Sequence, residues 1–168
     1  MKKRRASPFS SRTTPSQRYR NVALNQSAIV PNTSFRTESD GSFSRLNPEI
    51  CIITNVDNDH LDYYKSMDAL KAAFYDFALK VPFYGAAVVC GDDPHVREIF
   101  HDFPKKIIFY GLNKDNDYYL EGEKGKYRVF SQEGAVGEMA LKVSGPQHAI
   151  NAIAAVLADR SDEHTYEL

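Results

Sequence analysis

Tryptophan is missing from these 168 residues, and cysteine occurs only twice, at Cys51 and Cys90. Both cysteines fall in apolar, β-like runs, at a spacing that suits neither a metal site nor a redox motif, so they read as buried, reduced thiols. That argues against a disulfide-stapled secreted scaffold and for a cytoplasmic protein. No apolar run is long enough to cross a bilayer, and the N-terminus has no apolar segment of a secretory signal, so neither membrane insertion nor export is expected. Acidic residues are absent from residues 1–36, which carry eight Lys or Arg. Residues 37–168 carry 13 basic and 22 acidic side chains, so the net charge of −1 conceals +8 joined to −9.

Several chemical signatures are also lacking. Nothing reads Gly-x-x-x-x-Gly-Lys-Ser/Thr, and the one Gly-Lys pair, Gly125-Lys126, lies in a hairpin-like region rather than ahead of a helix. No Gly-x-Gly-x-x-Gly opens a helix, no Gly-x-Ser-x-Gly elbow is present, and the five histidines are too scattered for a zinc site. Dinucleotide, serine-hydrolase and zinc-enzyme readings fall away.

What is there divides by composition. Residues 1–36 are rich in Ser, Arg, Thr, Pro and Asn, open on Lys2-Lys3-Arg4-Arg5, and read as a basic, largely disordered tail. Residues 37–160 form the folded unit, and 161–168 a short C-terminal tail. Within the unit, 50–56, 86–90 and 106–111 are apolar, β-rich runs. A helix capped by Ser66 runs to about Lys80, with Met67, Leu70, Phe74, Phe77 and Val81 at helical spacing, and a shorter helix spans 96–103. Strand, helix, strand, helix, strand predicts a parallel α/β sheet with right-handed crossovers. Beyond it, 118–121, 127–131 and 139–143, separated by glycines, predict a small antiparallel subsheet, and alanine-rich 149–157 a last helix.

The most informative stretch is Ile52-Ile53-Thr54-Asn55-Val56-Asp57-Asn58-Asp59-His60-Leu61-Asp62-Tyr63-Tyr64. An apolar run that stops at carboxylates around one histidine is how a parallel strand delivers polar groups to a site at its carboxyl end. A polar turn leading to a helix cap has the same spacing, and spacing alone does not separate the two. A carboxylate in the preceding loop, Glu38, and the imidazole of His60 form a sparse pair. Magnesium takes one or two protein groups beside water and phosphate oxygens, so such a pair next to a nucleotide is chemically sensible.

Several motifs occur together in one order: Glu38-Ser39-Asp40-Gly41-Ser42-Phe43, Asn47-Pro48, Ile53 through Tyr64, Phe74, residues 82–91, and Gly145-Pro146-Gln147-His148-Ala149-Ile150-Asn151. Over residues 38–159 this resembles the central domain of the Mur ligases, above all the L-alanine-adding branch. The resemblance implies an ATP-dependent amide-bond ligase of peptidoglycan precursor synthesis, which activates the carboxylate of UDP-N-acetylmuramate as an acyl phosphate for attack by the amine. It implies ATP and Mg²⁺ as cofactors, with Glu38 and His60 as magnesium ligands. Asn151 takes the place of an adenine-contacting asparagine. His148 stands where the family has another asparagine, and Gln147 where it has histidine. It further implies a nucleotide and the UDP-sugar as partners, and no membrane.

The departures shape a further expectation. The family's phosphate loop, its UDP-binding domain and its C-terminal domain have no counterpart in the sequence, so the chain is expected to be a truncated central domain that does not ligate alone. A separate chain supplying those parts is left open. The alternative is a non-catalytic binding protein whose basic tail touches nucleic acid or another anionic partner.

Overall fold

Three apolar runs become adjacent parallel strands in the computed structural model of the chain, which describes residues 22–24, 42–57, 64–142 and 145–163. They are β2 (Ile50–Ile53), β3 (Ala86–Cys90) and β4 (Ile107–Gly111), in register at Ile50 with Ala86 and at Ala87 with Ile107. Every residue of β2 and β3 is buried. Side chains alternate across a strand, and a sheet covered on both faces needs an apolar residue at each position, which is why these segments read as unbroken apolar runs. β2 stops at Ile53, three residues short of the predicted end, and residues 54–57 leave the sheet as an arm. The stretch read as a basic tail contributes β1 (Val22–Leu24), parallel to β2 with Val22 opposite Ile50.

The chain steps from β2 to β3 to β4 in one direction, so right-handed crossovers put both connecting helices on one face. Helix α1 (Met67–Ala78) begins where Ser66 accepts the Ala69 N–H at 3.2 Å, and Asp68 in its first turn suits the helix dipole. At its other end Lys105 Nζ donates to the carbonyls of Leu79, the helix C-cap, and Val81, just beyond it, both at 2.6 Å. Helix α2 (Pro94–Phe100) starts two residues before the predicted position because Asp93 caps it and Pro94 fits its first turn. It ends early because Phe103 precedes Pro104, which disfavours helical backbone there. Leu70, Phe74 and Phe77 of α1 and Val96 and Phe100 of α2 close over Cys51, Ile53, Ala87 and Val89.

The other face, carrying Ile50, Ile52, Val88, Cys90 and Tyr110, is covered by α3 (Pro146–Glu163) through Ala149, Ile150, Ile153, Ala154 and Leu157. The alternating residues of one strand thus serve two separate cores. The antiparallel region prolongs this same sheet. β5 (Tyr118–Glu123) pairs in parallel with the end of β4, and β6 (Lys126–Ser131) and β7 (Gly134–Ala140) follow in antiparallel, giving seven strands in chain order. The β5–β6 turn, Lys124-Gly125, has positive φ at both residues, the geometry that matches strand twist in a two-residue hairpin. β7 lies ahead of its predicted place. Gly134 and Gly137 look like breaks in the sequence, yet an edge strand with one neighbour tolerates them, and a bulge at Val129 and Phe130 absorbs the irregularity.

Candidate functional site

In a parallel sheet the carboxyl ends of the strands are where loops converge and ligands bind. Here β2, β3 and β4 all deliver polar residues to that edge. Gly91-Asp92-Asp93 closes β3, the middle strand of the three, and its two carboxylates reach opposite ways. Asp92 accepts from the backbone N–H groups of Leu112 at 2.6 Å and Asn113 at 3.1 Å and from Asn116 Nδ2 at 2.9 Å, holding the turn that follows β4. Asp93 accepts from Val96 N–H at 2.9 Å and from Val56 N–H at 3.3 Å, holding the arm that follows β2.

The β4 side of the edge is a closed polar network. Arg97 donates through Nε to the Gly91 carbonyl at 2.9 Å and through Nη2 to Asn116 Oδ1 at 2.6 Å, while its guanidinium lies 4.5 Å from the Phe109 ring centre. Asn116 is fully buried, and its carbonyl accepts from Gln132 Nε2 at 2.6 Å. A buried amide with each of these groups paired holds shape and has no spare valence for a ligand. Gly91 is required here because a Cβ would stand 1.9 Å from Asn116 Oδ1. None of this network is visible in the sequence.

The β2 side is more open. Thr54 and Asn55 are half-buried, their side-chain oxygens 2.9 Å apart, Val56 is buried, and Asp57 is exposed. Hydroxyl, amide oxygen and carboxylate are hard oxygen donors, the chemistry magnesium selects, so the arm's donor set fits that ion. Glu38 and His60, the two residues for which the family resemblance implies a magnesium role, lie outside the described residues. Among the described residues no group of three or more His, Cys, Asp or Glu is placed to hold a metal.

His148 and Asn151 lie one turn apart near the start of α3, both exposed, while Ala149 and Ile150 between them face the core. Gln147 Nε2 donates to Asn151 Oδ1 at 3.3 Å, which leaves the Asn151 amide N–H groups pointing away from that contact. The cysteines have no part in a site. Burial pushes the Cys51 thiol up to about 12 and raises Cys90 as well, so both stay protonated and unreactive. A groove of about 630 Å³ lies elsewhere, on β5–β7, lined by Glu121, Lys126, Arg128 and Glu138 among others; its charges balance and it adjoins none of the residues above.

Comparison with known proteins extends the reading. The family model of the Mur ligase middle domain matches residues 18–158. A protein of Bdellovibrio bacteriovorus named UDP-N-acetylmuramate–L-alanine ligase is 53% identical over 127 residues, covering 72% of this chain and 28% of that protein. The protein of the same name from Syntrophotalea carbinolica is 40% identical over 136 residues, covering 77% of this chain and 30% of that one. The chain therefore spans under a third of the length of these curated relatives. Among solved structures, the UDP-N-acetylmuramate–alanine ligase of Thermotoga maritima superposes with a TM-score of 0.61 at 27% identity, over 79% of this chain and 29% of that one. A ligase from Neisseria meningitides, named for UDP-N-acetylmuramate and the peptide L-alanyl-gamma-D-glutamyl-meso-diaminopimelate, shares the fold at TM-score 0.66 and 18% identity, over 80% and 46% of the two chains.

Proposed function

The chain belongs to the Mur ligases, as a middle domain of that family, and from this we propose that its function is the middle-domain share of joining L-alanine to UDP-N-acetylmuramate at the expense of ATP. The 53% identity to a relative bearing that ligase name carries the reading. In it, Glu38 and His60 hold magnesium, with the oxygen donors of residues 54–57 at the same edge. An ion held by these residues would supply neutralisation of charge on the phosphoryl group transferred from ATP to the sugar carboxylate. Asn151, with His148 beside it, contacts the adenine. The amide N–H groups of Asn151 suit an adenine ring nitrogen acceptor; His148, in place of the family's asparagine, offers a single ring N–H or lone pair instead.

The 168 residues contain no glycine-rich loop with a lysine to cradle the phosphates, so the chain by itself binds nucleotide weakly and does not turn over. The test is titration with ATP, with and without magnesium, followed by phosphate release in the presence of UDP-N-acetylmuramate and L-alanine. Weak magnesium-dependent binding without phosphate release is the expected result. Amino-acid-dependent release would overturn the stated incapacity, and complete indifference to nucleotide would overturn the magnesium-nucleotide reading for this chain.

A second reading rests on the charge asymmetry, +8 in residues 1–36 against −9 in the rest. The family match begins at residue 18, so within this segment residues 1–17 stand outside it, with Lys2, Lys3, Arg4, Arg5 and Arg12 among them. An anion-binding arm of this kind loses affinity for a single-stranded oligonucleotide steeply as salt rises. Affinity unchanged by deleting residues 1–17 would dispose of it.

A further inference from the structure

Asp93 does one thing that helix capping does not require. One carboxylate oxygen caps α2 on Val96 N–H, and the other accepts from Val56 N–H, 37 residues away in the chain. Val56 is pinned from its other side as well, since its side chain is only 2% exposed and belongs to the core under α1 and α2. The arm that leaves β2 is thus fixed by backbone and side chain at one residue, and Asp57 follows directly. Asp92 does the corresponding work on the opposite flank, so the end of β3 sets the exits of both neighbouring strands.

We propose that Asp93 is a positioning residue for the β2 arm of the nucleotide site, a role that rests on the magnesium-nucleotide reading given above. Ser, Thr or Asn would cap α2 as well as Asp does. Only an ionised carboxylate presents two oxygens that accept and never donate, so only it can satisfy two N–H groups on different loops at once. Asparagine would turn its own N–H₂ toward one of them, and the single hydroxyl of serine reaches just one. The chemistry at position 93 is therefore dictated by the arm and not by the helix. Thr54, Asn55 and Asp57 sit within two residues of the tether, so their oxygens move with it.

Asp93→Ser in the full chain separates the two duties, because it keeps the cap and removes the tether. Amide exchange followed by nuclear magnetic resonance is expected to show Val56 exchanging at least about tenfold faster while Val96 keeps its protection. Titration with ATP in excess magnesium is expected to show about a tenfold or greater loss of affinity, the scale typical of residues that orient metal ligands, with affinity for magnesium-free ATP unchanged. The thermal midpoint should barely move; Asp93→Asn, closer in volume, provides the same comparison should the serine variant fold poorly. Fast exchange at Val56 with unaltered magnesium-ATP affinity would overturn the positioning role, as would Val56 protection equal to that of the parent. If the parent chain itself gains nothing from magnesium, the magnesium-nucleotide reading fails and takes this inference with it, a pattern distinct from a variant that matches a magnesium-responsive parent.

Discussion

Strands β2 and β3 are covered by helices on both faces, whereas β5 and β6 bury one face and open the other to water, and β7 at the edge is at most half-buried. In β3 every residue from Ala86 to Cys90 is buried, so each position is judged by volume. In the antiparallel region Leu120, Tyr127 and Val129 are buried while Glu121, Arg128 and Glu138 are exposed. Those three charges lie opposite one another across the strands, negative, positive, negative, and beside them the Tyr119 and Phe130 rings stack at 5.1 Å. The open face is held by cross-strand pairs worth tenths of a kcal/mol to about one each. The closed part is held by burial worth several times more per side chain. The edge that carries Asp92, Asp93 and the β2 arm is therefore built on the part that cannot shift cheaply.

The sharpest test of that contrast pairs two phenylalanines. Phe74→Ala empties the core under α1 and should cost about 3–5 kcal/mol in urea unfolding. Phe130→Ala removes half of a surface stack and should cost about 1 kcal/mol. Equal costs would mean that the open face has a core of its own. The glycines offer a second contrast. A Cβ on Gly85 would stand 1.9 Å from the Glu49 carbonyl oxygen and 2.7 Å from Val81 Cγ1, so Gly85→Ala forces two strands apart at about 3 kcal/mol. Gly134 has φ of 122° and nothing within 4 Å of where a Cβ would lie, so Gly134→Ala costs only backbone strain, about 1–2 kcal/mol. Thermal midpoints of the two variants, read side by side, check the ranking.

Asn116 joins the two regions. Asn116→Ala removes the hydrogen bond from Arg97 Nη2, leaving that nitrogen the Asp115 carboxylate at 3.5 Å, and the bond from Asn116 Nδ2 to Asp92, at about 2 kcal/mol. The loss should be felt unevenly: amide exchange should accelerate through β5–β7 while β2–β4 keep their protection. Uniform acceleration would show that the sheet unfolds as one unit and would dissolve the distinction.

Legibility in the sequence follows the same division. Burial on both faces leaves an unmistakable apolar run, so β2, β3 and β4 were readable, and so was α1, whose cap and stripe are local. β7 was displaced because an edge strand makes few demands on composition, and β1 was invisible because three residues among basic ones carry no period. The site was legible only in part. His148 and Asn151 both lie exposed on α3, and Glu38 and His60 lie outside the described residues. The tethers from Asp92 and Asp93 escaped notice because each spans 20 residues or more, and no local pattern records which backbone amide a carboxylate will meet. The Asp93-Pro94 cap was available, but it announces a helix and says nothing of Val56.

The smallest effect belongs to the outer surface of the closed region, where Lys71 of α1 meets Glu98 of α2 at 2.5 Å. The hydrogen bond from Lys71, and then its charge, holds the Glu98 carboxyl below the ordinary glutamate range. A carboxyl whose folded-state pKa is depressed stabilises the fold at pH above its unfolded value and loses that contribution as pH falls through the folded one. Glu98 is well exposed, so solvent and salt screen the pair and its contribution is minor. Glu98→Gln should therefore lower the urea midpoint slightly at pH 7 and low salt, and the gap to the parent should close both in high salt and as the pH drops below the glutamate range. A gap that persisted in acid would mean that Glu98 acts through packing of its stem between α1 and α2, and the covered region would then extend further outward than burial alone implies.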